Sequence, residues 1–282
     1  MVVAPLTLTC LSLATLFVAV LPVVLYRRLR KPFALNHRDT IAGIAVFALF
    51  AMVIERAVNG YFLQQNDRTS EWLANPFAFV VYGAIVAGLC EEVGRFVAMK
   101  LMLNRARRDL DGEADTRVGK RPRVPTMIEG DGAALGYGIG HGGAEAWLIG
   151  VFVQLQWIVF AIYDNLGELE AHLGNLPADT MMRLHFQLAS LTPQLAGIFV
   201  LERVSALVFQ IGLSVLMWRG VRAGWRWVLP VAIVAHALVD APAAMYQAGL
   251  LPLIVVDGVY VLAAVAVAGV LVRQMRRPAQ AA

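Results

Sequence analysis

Seven apolar stretches, each long enough to cross a bilayer, dominate this sequence: 5–26, 40–63, 76–102, 131–161, 193–218, 226–247 and 250–273. About twenty apolar residues suffice for one helical crossing. Lipid offers no partner to an unpaired backbone group, so spanning segments must be helices or closed barrels. No alternating strand pattern recurs, which argues against a β-barrel. With 59% hydrophobic residues among 282 and a mean hydropathy of +0.65, the chain reads as an all-α, polytopic integral membrane bundle of about seven transmembrane helices. A single domain over residues 1–282 is expected. The first stretch is expected to be a retained span, because it lacks a basic leader and its apolar run is too long for a signal peptide.

The basic residues set an orientation. Nineteen of the 24 Lys and Arg fall in alternate loops, at 27–38, 100–130 and 219–226 and after residue 272, whereas the opposite loops hold only Arg68 and Arg183. By the positive-inside rule the N-terminus is expected outside and the C-terminus in the cytoplasm, in the cytoplasmic (plasma) membrane. The pI of about 9.3 then reflects loops drawn to anionic lipid at the cytoplasmic face. No basic–aromatic surface motif accompanies the charge, so no nucleic acid partner is expected. The charged segment 104–130 reads as a mobile cytoplasmic loop. Residues 164–192 mix apolar and polar side chains and read as an external segment lying at the interface. His37, His172 and His185 read as plain surface histidines.

Ionisable side chains inside the apolar stretches carry the functional signal, because each is costly in lipid and marks a site by default. Three helices contribute Glu91, Glu92 and Arg95, then His141 and Glu145, then His236 and Asp240. Counted from the basic ends of their spans, Glu91, His141 and His236 each lie nine or ten residues in, roughly 13–15 Å at the helical rise. Residues four apart share a helix face, which aligns Glu91 with Arg95, Tyr137 with His141 and Glu145, and His236 with Asp240. Arg95 is placed to pair with Glu91 or Glu92. Two adjacent carboxylates cannot both ionise easily in a dry site, so one is expected to hold its proton, as a general acid or base would. The pairs Glu55–Arg56 and Glu202–Arg203 are read as self-compensating and structural. Two histidines and several carboxylates exceed what neutralising one arginine requires, so the three-helix set reads as a buried active site.

Two further patterns bear on packing. Gly132, Gly136, Gly140 and Ala144 form one small-residue stripe in the fourth stretch, and Gly138, Gly142, Ala146 and Gly150 form a second. Such stripes let neighbouring helices approach closely. The GxGxxG run at 138–143 has no strand before it, so it is not a dinucleotide fingerprint. Cys10 and Cys90 both lie within spans and imply no disulfide framework. Cys90 beside Glu91 reads as a small buried residue, since an adjacent carboxylate hinders thiolate formation.

Together Glu91-Glu92-Val93-Gly94-Arg95, Gly140-His141-Gly142-Gly143-Ala144-Glu145 and His236-Ala237-Leu238-Val239-Asp240 closely resemble the YhfC family of intramembrane proteases, in span order and over nearly the whole chain. That family is similar to the CAAX-processing and bacteriocin-immunity-like (CPBP) proteases and to PrsW. The resemblance implies an endopeptidase acting on a membrane protein or peptide substrate. Glu91 or Glu92, with His141, would activate water, and His236 and Asp240 would face the substrate carbonyl. Two departures stand out. Only two residues separate the Glu pair from Arg95, as in the EExxK of PrsW, and Asp240 occupies the Asn position of CAAX-type relatives. An ionised Asp repels an oxyanion, so Asp240 is expected either to be protonated or to orient His236.

Members of the family are also described as metalloproteases, and Glu91 or Glu92 with His141, His236 and Asp240 supplies N and O ligands suited to zinc. The chain has no HExxH and no two histidines one turn apart, so a metal-free glutamic mechanism is the reading preferred from sequence, with no cofactor, and zinc is the alternative. An ion-coupled transporter would also carry mid-membrane carboxylates but would more often show two pseudo-symmetric halves. A non-catalytic scaffold is disfavoured by the complete motif set.

Overall fold

The computed structural model describes residues 3–116 and 130–276, and among them no residue is in a strand. Among the described residues, seven helices are long and apolar enough to cross a membrane: α1 (Pro5–Arg30), α2 (His37–Gln65), α4 (Pro76–Thr116), α5 (Gly132–Leu166), α8 (Pro193–Arg222), α9 (Val228–Gln247) and α10 (Leu253–Arg276). These match the seven apolar stretches, with most ends shifted by up to five residues and α4 running on to Thr116. The short α3 (Asp67–Leu73), α6 (Leu169–Leu173) and α7 (Ala178–Ala189) sit between spans. The chain is thus a multi-pass integral membrane bundle. One end, here called the basic end, gathers the C-termini of α1, α4, α8 and α10 and the N-termini of α2, α5 and α9. The other is the far end.

Local chemistry marks the starts and stops. Pro5 and Pro193 open α1 and α8 at positions where a missing N–H costs nothing. Asn36 caps α2, its side chain accepting from the Arg38 N–H at 3.0 Å. Gly167 closes α5 with φ of 73°, a left-handed conformation that favours glycine. α2 and α5 are not regular throughout: π-helical turns run over Phe50–Glu55, Tyr61–Gln65 and Ala146–Val151. Such turns insert a residue into the helical ladder and recur at functional sites.

The segment expected to loop out from residue 104 is helical through Thr116. Ala, Arg, Leu and Glu there are good helix formers, and propensity outweighs the low hydropathy. The rest of that expected loop, 117–129, lies outside the described residues. In the stretch expected at the interface, Leu169, Met181, Leu184 and Leu188 of α6 and α7 pack with Ala161 and Val3. His185, expected to be a bare surface histidine, instead ties α7 to α5 through Nδ1, 2.6 Å from Oδ1 of the buried Asp164.

Both glycine stripes are packing surfaces. A Cβ on Gly140 would lie 2.0 Å from the Thr40 carbonyl oxygen of α2, and one on Gly142 would lie 2.9 Å from Leu207 of α8. α5 is therefore clasped from both sides and Tyr137, Gly140 and His141 are buried. On α4, a Cβ at Gly88 would sit 3.0 Å from the Ile233 carbonyl of α9 and 3.4 Å from His236 Cβ. That close approach brings the Glu pair of α4 against His236. Gly140→Ala is expected to force the α2–α5 backbones apart and destabilise the fold by at least about 1–3 kcal/mol. A melting curve of the detergent-solubilised variant checks this; an unchanged midpoint contradicts the packing.

Candidate active site

Neighbouring residues on a helix point about 100° apart, so Glu91 and Glu92 meet different partners. Glu91 Oε2 accepts from His141 Nε2 of α5 at 2.8 Å. Glu92 Oε1 accepts from His236 Nδ1 of α9 at 2.7 Å and lies 3.3 Å from Arg95 Nη1. The expected Arg95 pairing is thus resolved in favour of Glu92. His236 presents its other nitrogen, Nε2, 3.3 Å from Asp240 Oδ2 and 4.0 Å from Glu91 Oε2. The three sequence motifs therefore meet at one point. Glu92, His141 and Arg95 have no exposed side-chain surface.

Gln210 of α8 was missed in the sequence. Its amide nitrogen donates to Glu91 Oε2 at 3.1 Å and to Glu145 Oε2 at 2.9 Å, and its oxygen accepts from Arg95 Nη2. This pattern fixes the amide: the reverse orientation would set its oxygen against two carboxylates. The available signal was a lone polar amide in an apolar span, where it must find partners. Glu145 also accepts from Arg203 Nη1 at 3.3 Å. The expected Glu202–Arg203 pair does not form, and Glu55 accepts from Asn59 Nδ2 at 3.3 Å rather than pairing with Arg56. Adjacent helix residues do not face each other, which is why both sequence pairings fail.

A cavity of about 670 Å³ opens beside this network. Glu91, Glu145, His236 and Asp240 line it, as do Glu55, Arg56, Glu202 and Arg203. Glu92, Arg95, Tyr137 and His141 stand behind that wall rather than in it. Tyr137 stacks on the His141 ring with centroids 5.7 Å apart, and Phe47 meets the ring edge-on at 5.1 Å. Both rings lock the imidazole toward Glu91. Cys90 is free, half-buried and outside the cavity lining. With Oε2 of Glu91 occupied by His141 and Gln210, Oε1 makes no hydrogen bond to any described residue, and it belongs to a side chain that lines the cavity.

Among the described residues, no group of three or more His, Cys, Asp or Glu side chains has the spacing of a formed metal centre. The donor types nonetheless fit zinc. His141 Nε2, Glu91 Oε2, His236 Nε2 and Asp240 Oδ2 follow one another at 2.8, 4.0 and 3.3 Å. Donors of a tetrahedral zinc bound at about 2.0–2.1 Å stand roughly 3.3 Å apart. Glu92 on His236 Nδ1 supplies the outer carboxylate that zinc-binding imidazoles usually have.

Comparison with known proteins places the chain in a family. The family model described as YhfC intramembrane metalloprotease matches residues 17–115 and 125–261. The chain is 31% identical over 246 residues to the uncharacterized membrane protein YhfC of Bacillus subtilis (strain 168), covering 86% of this chain and 85% of that protein. No solved structure matches. The chain belongs to the YhfC intramembrane metalloprotease family.

Proposed function

We propose that this protein is an intramembrane endopeptidase that hydrolyses a peptide bond of a membrane-associated protein or peptide, with Glu91 activating the water. One observation carries this reading: Glu91 lines a cavity with one carboxylate oxygen held by His141 and Gln210 and the other unbonded. A water on Oε1 would face a scissile carbonyl placed between Glu91 and the His236–Asp240 pair. With its Nδ1–H held by Glu92, His236 donates from Nε2–H to the developing oxyanion as the doubly protonated imidazolium. Glu92 is thereby a positioning residue rather than the base. Asp240, one turn along α9 and 3.3 Å from His236 Nε2, steadies the carbonyl side. Glu91 passes the proton taken from water to the leaving amine, as a general base that returns as an acid does.

Zinc is the second reading, favoured by the nitrogen and oxygen donor types gathered there and by the family's description. Glu91, His141, His236 and Asp240 would hold the ion, which when bound would lower the pKa of a water and polarise the carbonyl. Metal analysis of the purified protein separates the readings: stoichiometric zinc with chelator-sensitive cleavage supports the metal.

Gln210 acts through Glu91 and Glu145. Gln210→Met keeps the reach and removes the donors; hydrogen bonds to charged groups contribute about 1.5–3 kcal/mol. Loss of such a bond corresponds to roughly 10- to 100-fold in rate. The loss is expected in kcat with KM little changed, and Gln210→Glu should fare worse because it sets a carboxylate directly against those of Glu91 and Glu145. A rise in KM alone would contradict the role.

The nineteen basic residues that the sequence puts in alternate loops support a cytoplasmic C-terminus in the plasma membrane, with anionic lipid as the partner of those loops. A reporter fused after Gln280 should report the cytoplasm; a signal from the opposite face would invert the orientation.

A further inference from the structure

The cavity beside Glu91 does not run toward the near surface. Counted along the helices, the catalytic residues lie closer to the basic end, yet the cavity extends the other way on every helix that lines it. On α2 it takes residues 51–56, on α5 residues 145–153, on α9 residues 236–247 and on α10 residues 253–260. Gln247 ends α9 and Leu253 begins α10, so the lining reaches the far end of both. Where α4 and α5 meet α8 and α9, the basic end is packed instead. Leu103 of α4, Leu135 of α5, Trp218 of α8 and Val228 of α9 are nearly inaccessible and belong to the largest core cluster.

Polarity follows the same direction. Glu55, Arg56, Glu202, Tyr246, Gln247 and Tyr260 line the cavity beyond Asp240. Ionisable groups at membrane depth face protein or a water-filled cavity, and an ordered water needs two to four polar partners. This wall supplies them from Glu91 to the end of α9. A second cavity of about 670 Å³ does reach the basic end at Arg219 and Trp225, but its walls are otherwise almost wholly apolar. Phe209, Leu213 and Val239 line both cavities and so stand between them.

We infer that water and the scissile segment of the substrate reach Glu91 from the far end of the bundle, opposite the basic loops. This rests on the reading of Glu91 as the base. It selects the substrate by topology: the cleavable segment is presented at the face away from the basic loops, and with the orientation proposed above that face is the outer one. Arg56 and Arg203 share the wall with five carboxylates, Glu55, Glu91, Glu145, Glu202 and Asp240, so it suits a polar, extended segment rather than an intact apolar helix.

Thiol labelling in vesicles of defined sidedness tests this, with a C-terminal tag marking the basic face. Cys10 and Cys90 are replaced by alanine, single cysteines are placed at Ala243 and Gln247, and the probe is a small charged methanethiosulfonate. Both positions are expected to react at least tenfold faster from the face opposite the tag, and labelling at Ala243→Cys should block cleavage. Met217→Cys, in the basic-end core, should stay unlabelled from either face. Faster labelling of Ala243→Cys and Gln247→Cys from the tagged face, or no labelling of either, overturns the inference. Those results leave the protease reading standing if Glu91-dependent cleavage persists. Labelling as expected in a protein that cleaves nothing would instead remove the protease reading and keep the far-end opening.

Discussion

Glu91→Gln is expected to abolish cleavage of a membrane-embedded substrate while leaving the protein folded and inserted. The amide keeps the shape of the carboxylate and its place against His141 and Gln210, but it cannot take a proton from water. Loss of a general base commonly costs on the order of 10²–10⁴ in rate. Glu92→Gln should behave differently. Glu92 lies outside the cavity lining and orients His236 through Nδ1, so its loss should misplace a donor rather than remove the base. Cleavage rates of the two variants, measured beside their melting curves, check the assignment. A Glu91→Gln protein that cleaves normally while Glu92→Gln is dead would exchange the roles of the two glutamates.

His236→Ala is expected to lower kcat on the order of 10²–10³-fold, the usual cost of removing one oxyanion donor, with KM little altered. A loss confined to kcat marks an interaction made only in the transition state. Asp240→Asn should retain appreciable activity, because an amide can also donate to the carbonyl. A folded but inactive Asp240→Asn protein would mark an obligatory carboxylate and favour the zinc reading, in which Asp240 is a ligand.

Much of this arrangement was legible in the sequence because lipid is an unforgiving solvent. The seven spans followed from hydropathy, and Glu91, Glu92, His141, His236 and Asp240 stood out because charge in such segments is costly. The small-residue stripes of α5 announced tight packing, and Gly140 and Gly142 show it against α2 and α8. Side-chain direction was harder to read. Glu55–Arg56 and Glu202–Arg203 look self-neutralising on paper, but adjacent positions diverge around a helix, and Arg203 reaches Glu145 across the bundle. Gln210 escaped notice because an amide carries no charge, although it bridges Glu91, Glu145 and Arg95. The π-helical turns beside Glu55 and Glu145 have no sequence signature comparable to a proline or a glycine.

The central claim is that this chain hydrolyses a peptide bond with water activated at Glu91. The most direct measurement is cleavage of a generic membrane-embedded reporter by the purified protein in liposomes prepared in ¹⁸O-labelled water. The account predicts two fragments, with the new C-terminal carboxyl carrying ¹⁸O, and no fragments from Glu91→Gln. An intact reporter beside folded wild-type protein, or fragments formed equally by Glu91→Gln, would contradict it.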